Sequence, residues 1–243
     1  MVYIPEGDFL MGSPESEAER EDTEGPQHRV QVPAFFMGKY PVTQAQWQAV
    51  ARLKKVERDL ESDPSEFKGK DLPVEQVSWF EAVEFCQRLS KHTRNTYRLP
   101  SESEWEYACR AGTTTPFYFG ETISTDRANY DGDYTYGNGK KGKFREKTTS
   151  VGSFSANNFG LYDMHGNVWE WCQDYWHESY NGAPKNGLPW IQGGSPNYRV
   201  ARGGSWDNFP AYCRSARRVY ITPVIRYSND GFRVVCSAPR ILQ

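Results

Sequence analysis

Tyr97-Arg-Leu-Pro-Ser-Glu-Ser-Glu-Trp-Glu-Tyr-Ala-Cys-Arg-Ala-Gly112 is the stretch whose reading decides the fold class. Ser101 followed three residues later by Glu104 has the spacing of a capping box, in which each side chain satisfies the other's free backbone N–H. Trp105, Ala108 and Cys109 then recur at helical spacing, and Gly112 supplies a C-terminal stop. The same device stands upstream, where Ser78 and Glu81 precede Trp79, Val83, Cys86 and Leu89 on one helical face. Beyond Gly112 the texture changes to turn residues, aromatics and short β-like runs, so the C-terminal half is predicted irregular and β-rich. Capped helices in front of such a half make an α+β chain.

Working outward toward the N-terminus, Thr43 is the predicted N-cap of a short helix around 44–51, and Arg29 to Met37 reads as strand. Val2, Ile4, Phe9 and Met11 alternate around Pro5 and Gly7 as a short strand pair would. The acidic run Glu15 to Glu24 reads as a solvated loop, and 54–70 as charged surface. No repeat and no Pro- or Ser-rich linker divides the 243 residues, so 1–243 is expected to be one domain.

Composition narrows the function classes. Aromatic residues make up 15% of the chain, enough for a core despite a mean hydropathy of -0.78. No apolar run approaches the roughly 20 residues that span a bilayer, and no secretory leader is apparent, so the expectation is a soluble, cytoplasmic protein with no membrane partner. A net charge of -2 gives no global case for nucleic acid. Five cysteines without a C-x-x-C spacing argue against a disulfide framework or zinc site. Gly137 to Lys143 imitates a phosphate loop, but Phe144 stands where the hydroxyl residue belongs. The four histidines form no H-x-x-x-H pair, and no serine sits in a G-x-S-x-G elbow.

Seven phrases in order resemble the formylglycine-generating-enzyme family and its sulfatase-modifying-factor relatives. They are Pro5-Glu-Gly-Asp-Phe-Leu-Met-Gly-Ser13, Tyr40-Pro-Val-Thr43, Pro73-Val-Glu-Gln-Val-Ser-Trp79, Tyr97 to Tyr107, Gly160-Leu-Tyr-Asp-Met-His-Gly-Asn-Val-Trp-Glu-Trp171, Arg202-Gly-Gly-Ser-Trp206 and Gly231-Phe-Arg233. The resemblance implies a C-type-lectin-like α+β fold with few helices. It also implies an activity: aerobic members oxidise a substrate cysteine with two thiols that together hold copper, as soft Cu(I) requires. Here the second thiol position matches Cys213 and the first falls on Asn208, so neither catalytic residues nor copper are expected, and Cys213 reads as a buried structural thiol. The sulfoxide-synthase relatives' iron domain has no counterpart in the chain.

The resemblance further implies a structural calcium ion on Asp163 and Glu170 by side chain and on Gly166 and Val168 by carbonyl, a hard-oxygen set suited to calcium. The alternative is that Asp163 and Glu170 cap turns or pair with arginines. A second family calcium site keeps only Asn129 and Tyr130 and is not expected.

The 24 residues from Asp207 to Asp230 contain no Lys, Glu, Gln, Met or Trp, where the chain's own usage would give about five. Every residue type present is reachable from asparagine codons whose adenines are randomised, which resembles the variable region of the variable proteins of bacterial diversity-generating retroelements. Pro210, Cys213 to Ala216, Arg218, Pro223, Arg226 and Gly231 to Val235 read as a fixed frame, with Trp206 and Phe232 in the core. The residues read as diversified ligand contacts are Asp207, Asn208, Phe209, Ala211, Tyr212, Arg217, Val219, Tyr220, Ile221, Thr222, Val224, Ile225, Tyr227, Ser228, Asn229 and Asp230. Tyrosines offer large contact area with few rotatable bonds, and short polar residues offer adaptable hydrogen bonding. The expected function is a non-catalytic protein that binds an unidentified ligand, a protein or other macromolecule. The competing readings are a formylglycine-generating oxidase, and nucleic-acid binding through Arg214, Arg217, Arg218, Arg226 and nearby tyrosines.

Overall fold

The computed structural model describes residues 1–237; the last six residues of the domain expected over 1–243 lie outside the described residues. Strands β1 (Val2–Ile4), β2 (Gly7–Met11), β3 (His28–Val32) and β4 (Phe35–Met37) precede helices α1 (Gln44–Ala51) and α2 (Trp79–Thr93). Strand β5 (Tyr97–Arg98) leads into helix α3 (Glu102–Arg110), and β6 (Trp169–Trp176), β7 (Ser195–Arg202), β8 (Arg218–Ile221), β9 (Asp230–Gly231) and β10 (Val235–Ser237) complete the described residues. Three sheets result, in the orders β1-β4-β10-β5, β2-β3 and β8-β7-β6-β9. No helix among the described residues is long and apolar enough to cross a membrane.

All three predicted N-caps form. Thr43, Ser78 and Ser101 each accept from the N3 backbone N–H, while Gln46, Glu81 and Glu104 reach back. The α3 stop starts one residue early: Ala111 already adopts the left-handed conformation at φ 45°, and Gly112 follows at φ 92°. The expected β1/β2 pair does not form. Proline separates the two strands after Ile4, and each finds a separate antiparallel partner, β4 for the three residues of β1 and β3 for the five of β2.

Helix α3 is buried along its whole length. Glu102, Glu106 and Arg110 recur at i, i+4 on one face, so a helix with this many charges can be buried only because each charge is met. Arg218 closes on Glu102, Arg202 and Arg110 on Glu106, and Trp105 Nε1 donates to Glu170 Oε2 at 2.7 Å. These contacts fix β7 and β8 against the helix and so place everything that follows β7. Behind the sheet, Trp47 stacks on Phe85 at 5.7 Å and Phe232 packs edge-on at 5.2 Å.

The acidic run is solvated at Glu15, Ser16, Ala18, Glu19, Glu21 and Asp22, as expected, but its end is not. Glu24 is fully buried, and the Arg214 guanidinium donates to both its oxygens at 2.6 and 2.7 Å and to Glu17 at 2.6 Å. A buried arginine 190 residues downstream requires this countercharge.

Candidate functional site

The segment from Asp207 to Asp230 leaves β7 through Gly203 and Gly204, both at positive φ. A Cβ on Gly204 would meet Cys213 Sγ at 2.6 Å, so the chain can turn this tightly over the thiol only at glycine. A 3-10 turn, Pro210–Cys213, follows, then β8, then a loop returning to β9 beside β6.

Pro210, Cys213, Arg214, Ser215, Ala216, Arg218 and Pro223 are all buried. Phe209 is 45% exposed, Tyr220 53%, Val224 63% and Tyr227 54%. Asp207, Asn208, Tyr212, Arg217, Val219, Ile221, Thr222, Ile225, Ser228 and Asn229 lie between these extremes. Two residues read as contacts are instead interior. Ala211 packs in the cluster of Phe117, Tyr130 and Cys213, because the 3-10 turn points its small side chain inward. Asp230 is 1% exposed, because β9 pairs with β6. Two frame residues also differ from expectation. Arg226 is half-exposed and reaches Glu81 at 2.7 and 2.9 Å, and Trp206 is half-buried, flanked by Phe67 and Phe144 with Nε1 donating to Ser228 O.

Phe209 and Tyr220 each belong to a group of aromatics, and Tyr227 stands outside both. Phe209 packs on Tyr134 at 4.0 Å, with Tyr212 beyond it under the Arg217 guanidinium. Tyr220 contacts Tyr198 at 4.9 Å and Trp176 at 5.0 Å. Tyr134 and Tyr198 lie outside the segment, and sequence reasoning missed them. No periodicity links them to Phe209 or Tyr220, because only the tertiary fold brings them together.

Cys213 is fully buried, and that burial pushes its thiol up, away from the thiolate that nucleophilic or copper chemistry needs. Asn208 brings an amide, not a sulfur. His165 is locked as well: Nε2 accepts from Tyr118 N at 3.0 Å, Nδ1 donates to Cys213 O at 2.6 Å, and burial pushes its pKa down to about 3. Arg214, Arg217, Arg218 and Arg226 are each paired with a glutamate, so their charges are already met within the fold.

Of the residues named for calcium, Asp163 accepts from Gly152 N at 2.7 Å through Oδ2, while Oδ1 is buried without a partner. Burial raises its carboxyl pKa to about 6. Glu170 accepts from Arg233 Nε and Nη2, each at 2.6 Å, and from Trp105, which leaves it about one of its four lone-pair sites. The Gly166 carbonyl accepts from Val168 N at 3.1 Å. Asp163 therefore fits a cation well, whereas Glu170 would share one with Arg233.

The family described as "Sulfatase-modifying factor enzyme 1-like domain" matches residues 1–238. The formylglycine-generating enzyme of Bos taurus is 29% identical over 295 residues, covering 99% of this chain and 75% of that protein. Serine/threonine-protein kinase pkn1 of Chlamydia caviae is 34% identical over 254 residues, covering 96% of this chain but 37% of the kinase. Among solved structures, PvdO from Pseudomonas aeruginosa superposes with a TM-score of 0.85 at 33% identity, covering 97% of this chain and 93% of that one. Treponema denticola variable protein 1 superposes with a TM-score of 0.80 at 27% identity, covering 98% and 95%.

Proposed function

The chain belongs to the sulfatase-modifying factor enzyme 1-like family, in its C-type-lectin-like α+β fold, and from that premise we propose a non-catalytic protein whose Asp207 to Asp230 segment is a ligand-binding face diversified by mutagenesis at adenines. The observation that carries this reading is the division of one short segment. Its frame residues other than Arg226 pack inside, while Phe209, Tyr220, Val224 and Tyr227 stand in solvent without a helical or strand period. A face that must accept many sequences has to be decoupled from the core, and exposed positions meet that condition because substitution there costs little. The ligand is a protein or other macromolecule, since two separated aromatic groups suit an extended partner surface better than a small enclosed molecule. Similarity to a protein named as variable supports the reading.

A display library randomising Phe209, Tyr212, Tyr220, Val224 and Tyr227 tests it. Most members should fold and display at wild-type levels, and loss of display across the library would end the proposal. The oxidase reading predicts turnover. The purified chain is expected to leave a sulfatase-type cysteine peptide unchanged by mass spectrometry with or without copper, because Asn208 cannot replace a thiol. Conversion above a no-protein control would overturn this.

For the calcium ion implied by the family, we propose Asp163 as the decisive ligand. Its buried, unpartnered Oδ1 is the group a hard cation would satisfy. Chelation with EGTA is expected to lower the melting temperature of the wild type by more than that of Asp163→Asn, the difference being the ion at Asp163. An unchanged wild-type melt would remove the ion from the account.

A further inference from the structure

A second set of oxygens lies under the exposed face, where the two ends of the segment meet. Neither carboxylate oxygen of Asp230 has a hydrogen-bond partner, although the residue is 1% exposed. The neighbouring Asn229 donates its Nδ2 to both oxygens of Asp207 at 3.0 and 3.1 Å, and its own Oδ1 is buried and unpartnered. On the other side, Ser205 Oγ lies 2.6 Å from Asp207 Oδ1 and 2.5 Å from Asn208 Oδ1, with one hydroxyl hydrogen to serve both. Lone pairs outnumber hydrogens throughout this knot.

Protonation does not resolve the excess. Burial, aided by the charge of Asp207, pushes the Asp230 carboxyl up to about 8. A neutral Asp230 would bring one hydrogen to a neighbouring acceptor, but its own carbonyl oxygen and the remaining surplus of lone pairs would stay unmet. The arginines of the segment are no help, since each is paired with a glutamate elsewhere. What the set lacks is a positive centre that accepts several hard oxygens at once.

We infer that Asp230, Asp207 and the Asn229 amide oxygen hold a hard divalent cation, calcium by its tolerance of irregular oxygen sets. Among the described residues no three His, Cys, Asp or Glu side chains converge on one point. Two carboxylates therefore supply the charge, and the amide oxygen and water supply the remaining ligands. Asp207 is half-exposed, so the ion's open positions face solvent. The inference rests on these oxygens and not on diversification of the segment.

Calcium binding to the full chain, stripped with EGTA and measured by equilibrium dialysis, tests it against Asp230→Asn, Asp207→Asn and Asp163→Asn. Wild type should bind one calcium more per chain than Asp230→Asn, and Asp207→Asn should bind that ion at least tenfold more weakly. Asp163→Asn should keep it, which separates this site from the one at Asp163. Terbium luminescence excited through the tryptophans gives a second readout, and Asp207→Asn, at a half-exposed position, keeps the test usable if Asp230→Asn fails to fold. Equal stoichiometry and affinity in wild type and the foldable variants overturns the inference. So does an Asp230→Asn chain that is more stable than wild type while wild type binds no calcium that Asp163→Asn fails to remove.

Discussion

Arg214→Ala is expected to cost about 3–5 kcal/mol of folding stability, the range for removing one partner of a buried ion pair. Arg214 is fully buried and donates to Glu24, Glu17 and the Glu19 carbonyl. Truncation leaves Glu24 with only the Ser13 hydroxyl and the Glu21 N–H as donors and removes the cation from both carboxylates, and the uncompensated charge dominates the loss. For a chain of this length the melting temperature should fall by roughly 6–20 °C. The sign with pH follows from Glu17. Burial raises its pKa, and the two largest opposing influences both come from Arg214. Without Arg214 the folded pKa rises further above the unfolded value, so the folded variant binds more protons across that window. Stability of the variant should therefore recover as pH falls from 7 toward the acid range. Denaturant melts at two pH values measure both effects. A loss under about 1 kcal/mol at neutral pH would mean the pair contributes little, as exposed pairs do.

That ion pair also shows what a sequence can and cannot reveal. Helices α1, α2 and α3 were legible because capping is local: Ser101 and Glu104 meet within one turn, and three positions of sequence contain the whole interaction. Within the acidic run, Glu17 and Glu24 were misread because their partner is Arg214, and no local pattern distinguishes a countercharge from a solvated carboxylate. Strand pairing failed for the same reason at β1, whose partner is β4 and not its neighbour β2. The candidate site was legible in outline because codon-restricted composition is a property of a contiguous segment. Its depth was not. Ala211 is carried inward by a 3-10 turn and Asp230 by pairing with β6, while Tyr134 and Tyr198 are carried to the same surface from distant loops and strands. Absence of the catalytic thiol pair was readable at once, since Asn208 needs no coordinates to be recognised as lacking sulfur.

Phe232→Ala is expected to cost about 3–5 kcal/mol as a large-to-small change in a filled core. Its ring is fully buried and contacts both Phe85 and Trp47. Alanine at Phe209, Tyr220, Val224 or Tyr227, one at a time, should shift stability by less than about 1 kcal/mol, because at least 45% of each residue already faces solvent. Tyr212 and Ile221 pack partly against the core cluster that holds Trp47, Phe85 and Phe232 and should fall between, at about 1–2 kcal/mol. Trp206→Ala joins this middle group, since its indole is half-buried and loses one hydrogen bond to Ser228 O. Ligand affinity should rank the same residues in the opposite order, with one or two of the tyrosines dominating as anchors in an interface usually do. The ordering matters more than any single value. If the exposed aromatics destabilised the chain as much as Phe232, the segment would be ordinary core and could not tolerate diversification. A flat stability response at these positions, joined to a steep one at Phe232, is what a separable binding face requires.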